Sequence, residues 1–110
     1  IERVPSLARQ ARERLARLGY DNVQIRNGNG YAGWPEHAPY DGIIVTAAAP
    51  YTPAALVEQL KPDGRLVIPV GQPHTAQRLM LFERDSRGHT RNHAVLGVAF
   101  VPLVDQDGAE

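Results

Sequence analysis

The stretch "DGIIVTAAAPYTPAALVEQLKPDGRLVIPVG", residues 41–71, decides the fold. Its first ten residues form a continuous apolar run that ends at small residues and Pro50, which predicts a strand buried on both faces. "TPAALVEQL" predicts a helix with Pro53 in its first turn, ended by "KPDG", and "RLVIPV" predicts a second buried strand. This order of strand, helix and strand indicates a parallel sheet with a crossover helix.

The segments that precede this stretch continue the alternation of helix and strand. "VPSLARQARERLARLGY", residues 4–20, has apolar residues at helical spacing, and we expect Pro5 or Ser6 to open the helix and Gly19 to close it. The residues before Pro5 read as the end of a strand that runs into this helix, so we expect the beginning of the chain to lie upstream. "NVQIR", residues 22–26, predicts a short strand, followed by a glycine-rich loop.

The residues that follow the stretch have a different pattern. "QRLMLFERD", residues 77–85, and "HAVLGVAFVPLV", residues 93–104, are strand-like runs separated by the polar connector "SRGHTRN". They predict an antiparallel hairpin that closes one edge of the sheet. "DQDGAE", residues 105–110, predicts a frayed terminus. The fold class is therefore α/β, with a mostly parallel, doubly wound sheet and a C-terminal antiparallel hairpin.

Composition excludes several classes of partner. Twelve basic and twelve acidic side chains cancel, so we expect neither nucleic acid nor an anionic membrane as a partner. The chain has no cysteine, which excludes disulfides, thiolate metal sites and cysteine nucleophiles and is compatible with a reducing compartment. No apolar run is long enough to span a bilayer, and we expect a cytoplasmic protein.

Candidate functional residues follow the predicted strands. They are Glu2, "NGNG" at 27–30, "TAAAP" at 46–50 and "PVG" at 69–71. In doubly wound sheets ligands bind beyond the carboxyl ends of the strands, where an acid after the second strand can accept hydrogen bonds from a ribose diol. Glu2 has this position. On its own, however, "NGNG" is equally compatible with a simple turn.

At this point the sequence resembles the protein-L-isoaspartate O-methyltransferase family. The resemblance runs from "IERVPSLARQARERLARLGYDNV" through "NGNGYAGWPEHAPYDGIIVTAAAP" and "LVEQLKPDGRLVIPVG" to "GVAFVPLV". It implies that residues 1–110 are the C-terminal portion of a single Rossmann-like methyltransferase domain whose N-terminal part is missing here. The implied cofactor is S-adenosyl-L-methionine, and the implied partner is a damaged protein or peptide whose isoaspartyl carboxylate receives the methyl group, as the first step of protein repair.

The resemblance also implies roles for individual residues. On the cofactor side it places Glu2 at the ribose, the loop of Gly28, Asn29 and Gly30 near the adenine, and Thr46 at the edge between cofactor and substrate. On the substrate side it places Ala47, Ala48, Ala49 and Pro50, with Val70 and Gly71 on the opposite wall. The family usually has Gly-Asp-Gly where this chain has Gly-Asn-Gly, so we expect a weaker adenine contact from the uncharged Asn29.

The family's glycine-rich cofactor loop and its hydroxyl-bearing substrate segment precede Ile1, so the catalytic residues are expected upstream. Earlier strands of the family's sheet lie between the strands predicted at 22–26 and 41–46. We therefore expect the 110 residues alone to be unable to form that sheet or to bind the cofactor well.

Other functions have less support in the sequence. A relative that methylates an aspartate carboxylate in a biosynthetic peptide, and a non-catalytic scaffold derived from the fold, stay open as alternatives. His89 and His93 have a spacing seen among metal ligands, but a third ligand is absent from that connector, and no metal site is predicted. Tyr31 and Trp34 could stack on an adenine, although we expect them to cover the core.

Overall fold

The structure is a computed structural model that describes residues 1–72 and 74–104. The predicted frayed terminus at 105–110 therefore lies outside the described residues. The chain divides into two compact units, one built on Ile1–Gly30 and the other on Tyr31–Leu103.

The first unit contains one long helix, α1 (Pro5–Arg17), as the sequence predicted. Proline suits the first turn because the amide hydrogen it lacks would have no partner inside the helix. After α1 the chain reaches Gly19, whose φ of 82° is the left-handed conformation that glycine adopts without a steric penalty. Local signals at both ends therefore define this helix.

The prediction of a strand at 22–26 is wrong, because no strand forms over these residues. A strand needs a hydrogen-bonded neighbour over several residues. Within the first unit the segment after α1 has a single parallel bridge, between Glu2 and Asn27. At Glu2 the described backbone likewise forms only this one bridge, so the strand end expected before α1 stays a prediction.

The second unit contains most of the regular structure. Its elements are β1 (Tyr40–Ile44), α2 (Ala54–Glu58), β2 (Leu60–Val70), β3 (Gln77–Arg84) and β4 (Thr90–Val98). The strands form one sheet in the order β1-β2-β3-β4. β1 and β2 are parallel and are connected through α2, whereas β2, β3 and β4 pair antiparallel. The predicted crossover helix and C-terminal hairpin are confirmed.

β2 begins earlier than predicted, at Leu60 instead of Arg65. Tyr40 pairs with Leu60 and Gly42 pairs with Arg65, so β2 has three more residues than β1 between these two pairs. The extra residues lie within the "KPDG" turn, in which Asp63 has a φ of 66°. This turn is a bulge inside β2.

The core lies between α2 and one face of the sheet. Its buried side chains are Ala49, Leu56, Leu60, Leu66 and Ile68. The other face is open at β1, where the side chain of Ile44 is 77% exposed. The expectation that the strand at 41–46 is buried on both faces is therefore wrong. Within the described sheet β1 is an edge strand that pairs with β2 alone.

The hairpin turn between β3 and β4 is organised by Asp85. Its carboxylate Oδ1 accepts hydrogen bonds from the backbone N–H groups of Arg87 and His89, each at 2.8 Å. These bonds, with that of His89 the strongest, lower the pKa of Asp85 below its usual value. The turn is therefore fixed by one side chain in the way expected of aspartate in a tight connection.

Arg84, the last residue of β3, connects the hairpin to α2. Its Nη1 donates to the carbonyl oxygens of Leu60 at 3.0 Å and Glu58 at 3.2 Å. Its Nε donates to the carbonyl of Gly88 at 3.3 Å. Carbonyls at the end of a helix have no partner within it, and a guanidinium can satisfy several at once.

We predict that Arg84→Met destabilises the full-length protein by about 1–3 kcal/mol, because carbonyls at the end of α2 lose a charged donor while the apolar stem is retained. Urea denaturation measures the change. Arg91→Met is the matched control, since Arg91 is 81% exposed and its 3.3 Å pair with Glu83 is a surface ion pair worth about 0–1 kcal/mol. Equal losses in the two variants would contradict the role of Arg84.

Candidate functional site

In the first unit the structure brings Glu2 and Gly28 together. The N–H of Glu2 donates to the carbonyl of Arg26 at 2.9 Å, and the N–H of Gly28 donates to the carbonyl of Glu2 at 3.0 Å. The carboxylate Oε1 of Glu2 accepts from the N–H of Val4 at 3.1 Å, just before α1. The carboxylate is thus held at the start of the helix, half-buried and next to buried Gly28.

Asn27 fixes this arrangement, a role that sequence reasoning missed. Its Nδ2 donates to the carbonyls of Glu2 and Arg3, both at 2.9 Å. The first asparagine of "NGNG" therefore binds the segment that carries Glu2. The only available signal was the tendency of asparagine side chains to bond to nearby backbone. Asn29 and Gly30 follow it, both half-buried.

In the second unit Ala48 and Ala49 bond to two different parts of the chain. Ala48 accepts from the N–H of Leu103 and donates to the carbonyl of Val101, both at 2.7 Å. Ala49 donates to Pro69 at 3.1 Å and accepts from Gly71 at 2.9 Å. Both pairings are parallel bridges. The two alanines thus form the middle of a short three-stranded arrangement.

The residues just before this pair leave the strand. Ile44 pairs with Val67 and Ala49 pairs with Val70. Between these two pairs the chain advances five residues on the side of Ile44 and three on the side of Val67. The two additional residues form a bulge that includes Thr46 and Ala47. Thr46 is exposed and Ala47 is half-buried.

Burial separates the alanines into two groups. Ala48 and Ala49 are 3% and 0% exposed, and Ala49 belongs to the core cluster of the second unit. Thr46 and Pro50 are exposed, and Ala47, Val70 and Gly71 are half-buried. The structure therefore gathers all the predicted residues at 46–50 and 70–71 around one short stretch of backbone. Of these, only the residues outside the buried pair can present side chains to a ligand.

Gly71 is required by a close approach to β3. A Cβ atom built on Gly71 would lie 2.9 Å from Cγ and 3.0 Å from Cα of Gln77. Gln77 itself is 3% exposed and bonds to Phe100 through both side-chain polar atoms. Sequence reasoning missed Gln77 and the segment at 100–103, because it assigned both to the strands of the hairpin.

Tyr31 packs against the core cluster of the second unit, as expected. Gln59 holds the loop that follows, since its Oε1 accepts from the N–H of Trp34 at 3.0 Å and its Nε2 donates to the carbonyl of Ala32 at 2.9 Å. Trp34 stacks edge-on against His37 and is not among the side chains packed on the core cluster. The prediction of a core role is therefore confirmed for Tyr31 and not for Trp34.

A concave region of about 340 Å³ lies at the hairpin end of the sheet and contains several charged side chains. Across the strands Arg65 is opposite Glu83 and Glu83 is opposite Arg91, so positive and negative charges alternate there. Among residues 1–72 and 74–104 no three His, Asp or Glu side chains come together as a metal site. Over the same residues, no helix has the length and apolar character needed to cross a membrane.

Comparison with known proteins identifies one family. A family model described as protein-L-isoaspartate(D-aspartate) O-methyltransferase matches residues 1–108. The "Protein-L-isoaspartate O-methyltransferase 2" of Syntrophobacter fumaroxidans is 60% identical over 103 residues, which cover 94% of this chain and 42% of the relative. A protein of the same name from Polaromonas sp. is 56% identical over 106 residues, covering 96% of this chain and 50% of the relative.

Solved structures agree with the sequence matches. A Plasmodium falciparum protein described as a protein-L-isoaspartate O-methyltransferase, in complex with S-adenosyl-L-homocysteine, superposes with a TM-score of 0.78 at 29% identity and covers 96% of this chain and 51% of that one. Another protein-L-isoaspartate O-methyltransferase superposes with a TM-score of 0.82 at 30% identity. This superposition covers 94% of this chain and 33% of the other. The chain spans about half or less of the length of these relatives.

We predict that Gly71→Ala destabilises the full-length protein by about 1–3 kcal/mol, because the new methyl group meets the backbone of β3. Thermal unfolding measures the loss. Gly97→Ala is the matched control, since a Cβ at Gly97 in β4 meets nothing within 4 Å. A neutral effect of Gly71→Ala would show that the bridge to Ala49 does not need this close approach.

Proposed function

The chain belongs to the protein-L-isoaspartate O-methyltransferase family, and we propose that the full-length protein transfers a methyl group from S-adenosyl-L-methionine to the carboxylate of L-isoaspartyl residues in damaged proteins. The observation that carries the proposal is the family match over residues 1–108. Relatives that are more than half identical and bear that name support it. In this proposal residues 1–110 form part of one Rossmann-like methyltransferase domain in a cytoplasmic repair enzyme.

On the cofactor side, the residues of the first unit fit the proposed ligand. Glu2 has an ionisable carboxylate held by backbone bonds, and a carboxylate offers several acceptor positions for a ribose diol. Gly28 beside it is buried, and a Cβ atom built there would lie 3.6 Å from Nε of Arg26. Asn29 and Gly30 are assigned to the adenine, and the exposed Thr46 of the second unit is assigned to the cofactor as well.

On the substrate side we assign a wall formed by Ala47, Pro50, Val70 and Gly71. Ala48 and Ala49 contribute to it through backbone bonds that hold it in place. Fixed backbone is valuable in this reaction because correct placement of two reactants can supply a large share of the rate. S-adenosyl-L-methionine, when bound, supplies an already activated methyl group, so the wall needs only to orient the isoaspartyl carboxylate.

We predict that the full-length protein, given S-adenosyl-L-methionine, adds one methyl group to an L-isoaspartyl peptide and none to the same peptide with normal aspartate. Mass spectrometry of the two peptides measures the result. Methylation of the aspartyl peptide instead would favour the biosynthetic relative. No methylation, together with no calorimetric binding of S-adenosyl-L-homocysteine, would favour the scaffold.

Asn29→Asp tests the adenine assignment. A charged acceptor makes a stronger hydrogen bond than an amide oxygen, so we predict about fivefold tighter binding of S-adenosyl-L-homocysteine, on the order of 1 kcal/mol. Calorimetric titration of the full-length protein measures it. Asn22→Asp, the same change at an exposed position of the first unit, is the control and should leave the affinity unchanged. Unchanged or weaker binding by Asn29→Asp would contradict the assignment.

A further inference from the structure

Gln77 is a buried polar residue at the start of β3. It is 3% exposed, and both of its hydrogen bonds go to the backbone of Phe100. Its Oε1 accepts from the N–H of Phe100 at 2.7 Å, and its Nε2 donates to the carbonyl of Phe100 at 3.2 Å. The side chain therefore bonds to one residue as a neighbouring strand would. An amide is costly to bury without such partners.

Because of its position, Gln77 joins two parts of the second unit through these bonds. Gln77 is the first residue of β3 and pairs with Val98, the last residue of β4. Beyond Val98 the hairpin pairing ends, and the side chain of Gln77 forms hydrogen bonds to the backbone of Phe100. The next residues, Val101 and Leu103, then bond to Ala48. Gln77 thus connects the hairpin to the segment that pairs with the alanines.

Gln77 also contacts the opposite side of the same wall. The absence of a side chain at Gly71 is what leaves room for Gln77, and Gly71 bonds to Ala49. One buried amide therefore adjoins both outer members of the three-stranded arrangement around Ala48 and Ala49.

Two apolar side chains near this backbone are exposed. Val101 is 71% exposed, and Tyr51, which follows Pro50 and tilts against Tyr31, is 60% exposed. Val101 bonds to Ala48 and Tyr51 is next to Pro50, so both adjoin residues assigned to the peptide side in the proposed function.

We propose that Gln77 is a positioning residue for the peptide substrate, acting through Phe100 to hold residues 101–103 against Ala48. This inference rests on the proposed methyltransferase function. Gln77 touches neither the methyl group nor the carboxylate. Its effect is on how well the peptide side of the site is formed, whereas Glu2 and the adenine loop on the cofactor side do not depend on it.

The test uses Gln77→Met in the full-length protein, because methionine has a similar length and keeps the apolar contacts but lacks both hydrogen bonds. The bonds of Val101 and Leu103 to Ala48 do not involve Gln77, so we expect residues 100–103 to open more often in this variant without global unfolding. Gln77→Asn is the second variant, which keeps the amide but is one methylene too short to reach. If the methionine variant does not fold, the asparagine variant decides.

Gln59→Met is the matched control. Gln59 also makes two side-chain hydrogen bonds to loop backbone in the same unit, and it precedes the first residue of β2, whereas Gly71 follows the last. The control therefore removes an equivalent glutamine at the far end of the strand.

We expect both Gln77 variants to raise KM for an L-isoaspartyl peptide about tenfold, as loss of two modest hydrogen bonds allows, while Kd for S-adenosyl-L-homocysteine and kcat change less than about twofold. Gln59→Met should leave the peptide KM unchanged. Hydrogen exchange at the amides of Phe100 and Leu103 should accelerate in the Gln77 variants and not in the control.

Two results would overturn the inference. One is a loss in which kcat, peptide KM and cofactor binding change together in proportion to the folded fraction, as a purely structural role predicts. The other is unchanged exchange at Phe100 and Leu103. The exchange measurement needs no methyl transfer, so it tests whether Gln77 holds residues 100–103 even if the wild-type protein does not methylate the peptide, an outcome that would reject the proposed function separately.

Discussion

The backbone of two consecutive alanines is the constraint on which the rest of the second unit depends. Ala48 and Ala49 direct their N–H and C=O groups to opposite sides, and both sides are occupied by other parts of the chain. Because buried backbone groups must be paired, the end of β2 and the segment at 101–103 are both required to lie where they do. The hairpin between them then has little freedom in its register.

Side-chain packing reinforces this constraint. Ala48 and Ala49 are both buried, and the absence of a side chain at Gly71 allows β3 to approach. Thr46 and Ala47 must then leave the strand, since the path along β1 has two more residues than the path along β2. A rigid pair thus carries a short exposed bulge, which is the kind of support that a binding site needs.

Local signals in the sequence predicted a large part of this fold. The proline and glycine at the ends of α1, the crossover helix α2 and the hairpin of β3 and β4 all follow from residues close together in the chain. The errors have a common cause. A strand at 22–26 and a doubly buried β1 both require neighbours that the described residues do not supply, and a strand pattern alone cannot show which neighbours exist.

The sequence likewise predicted only part of the candidate site. The sequence placed residues 46–50 and 70–71 together because they follow parallel strands, and the structure brings them together. It could not find Gln77 or Asn27, whose bonds reach 23 and 25 residues along the chain. Such side-chain to backbone bonds depend on the final path of the chain, and a glutamine within a strand pattern gives no sign of them.

The central claim is that Ala48 and Ala49 are bonded on both sides. Scalar couplings across hydrogen bonds, measured by NMR on the isotope-labelled full-length protein, test it most directly. The account predicts a coupling between the amide nitrogen of Ala48 and the carbonyl carbon of Val101, and a second between the amide nitrogen of Gly71 and the carbonyl carbon of Ala49. Absence of both couplings, with these amides exchanging as fast as those of an open loop, would contradict it.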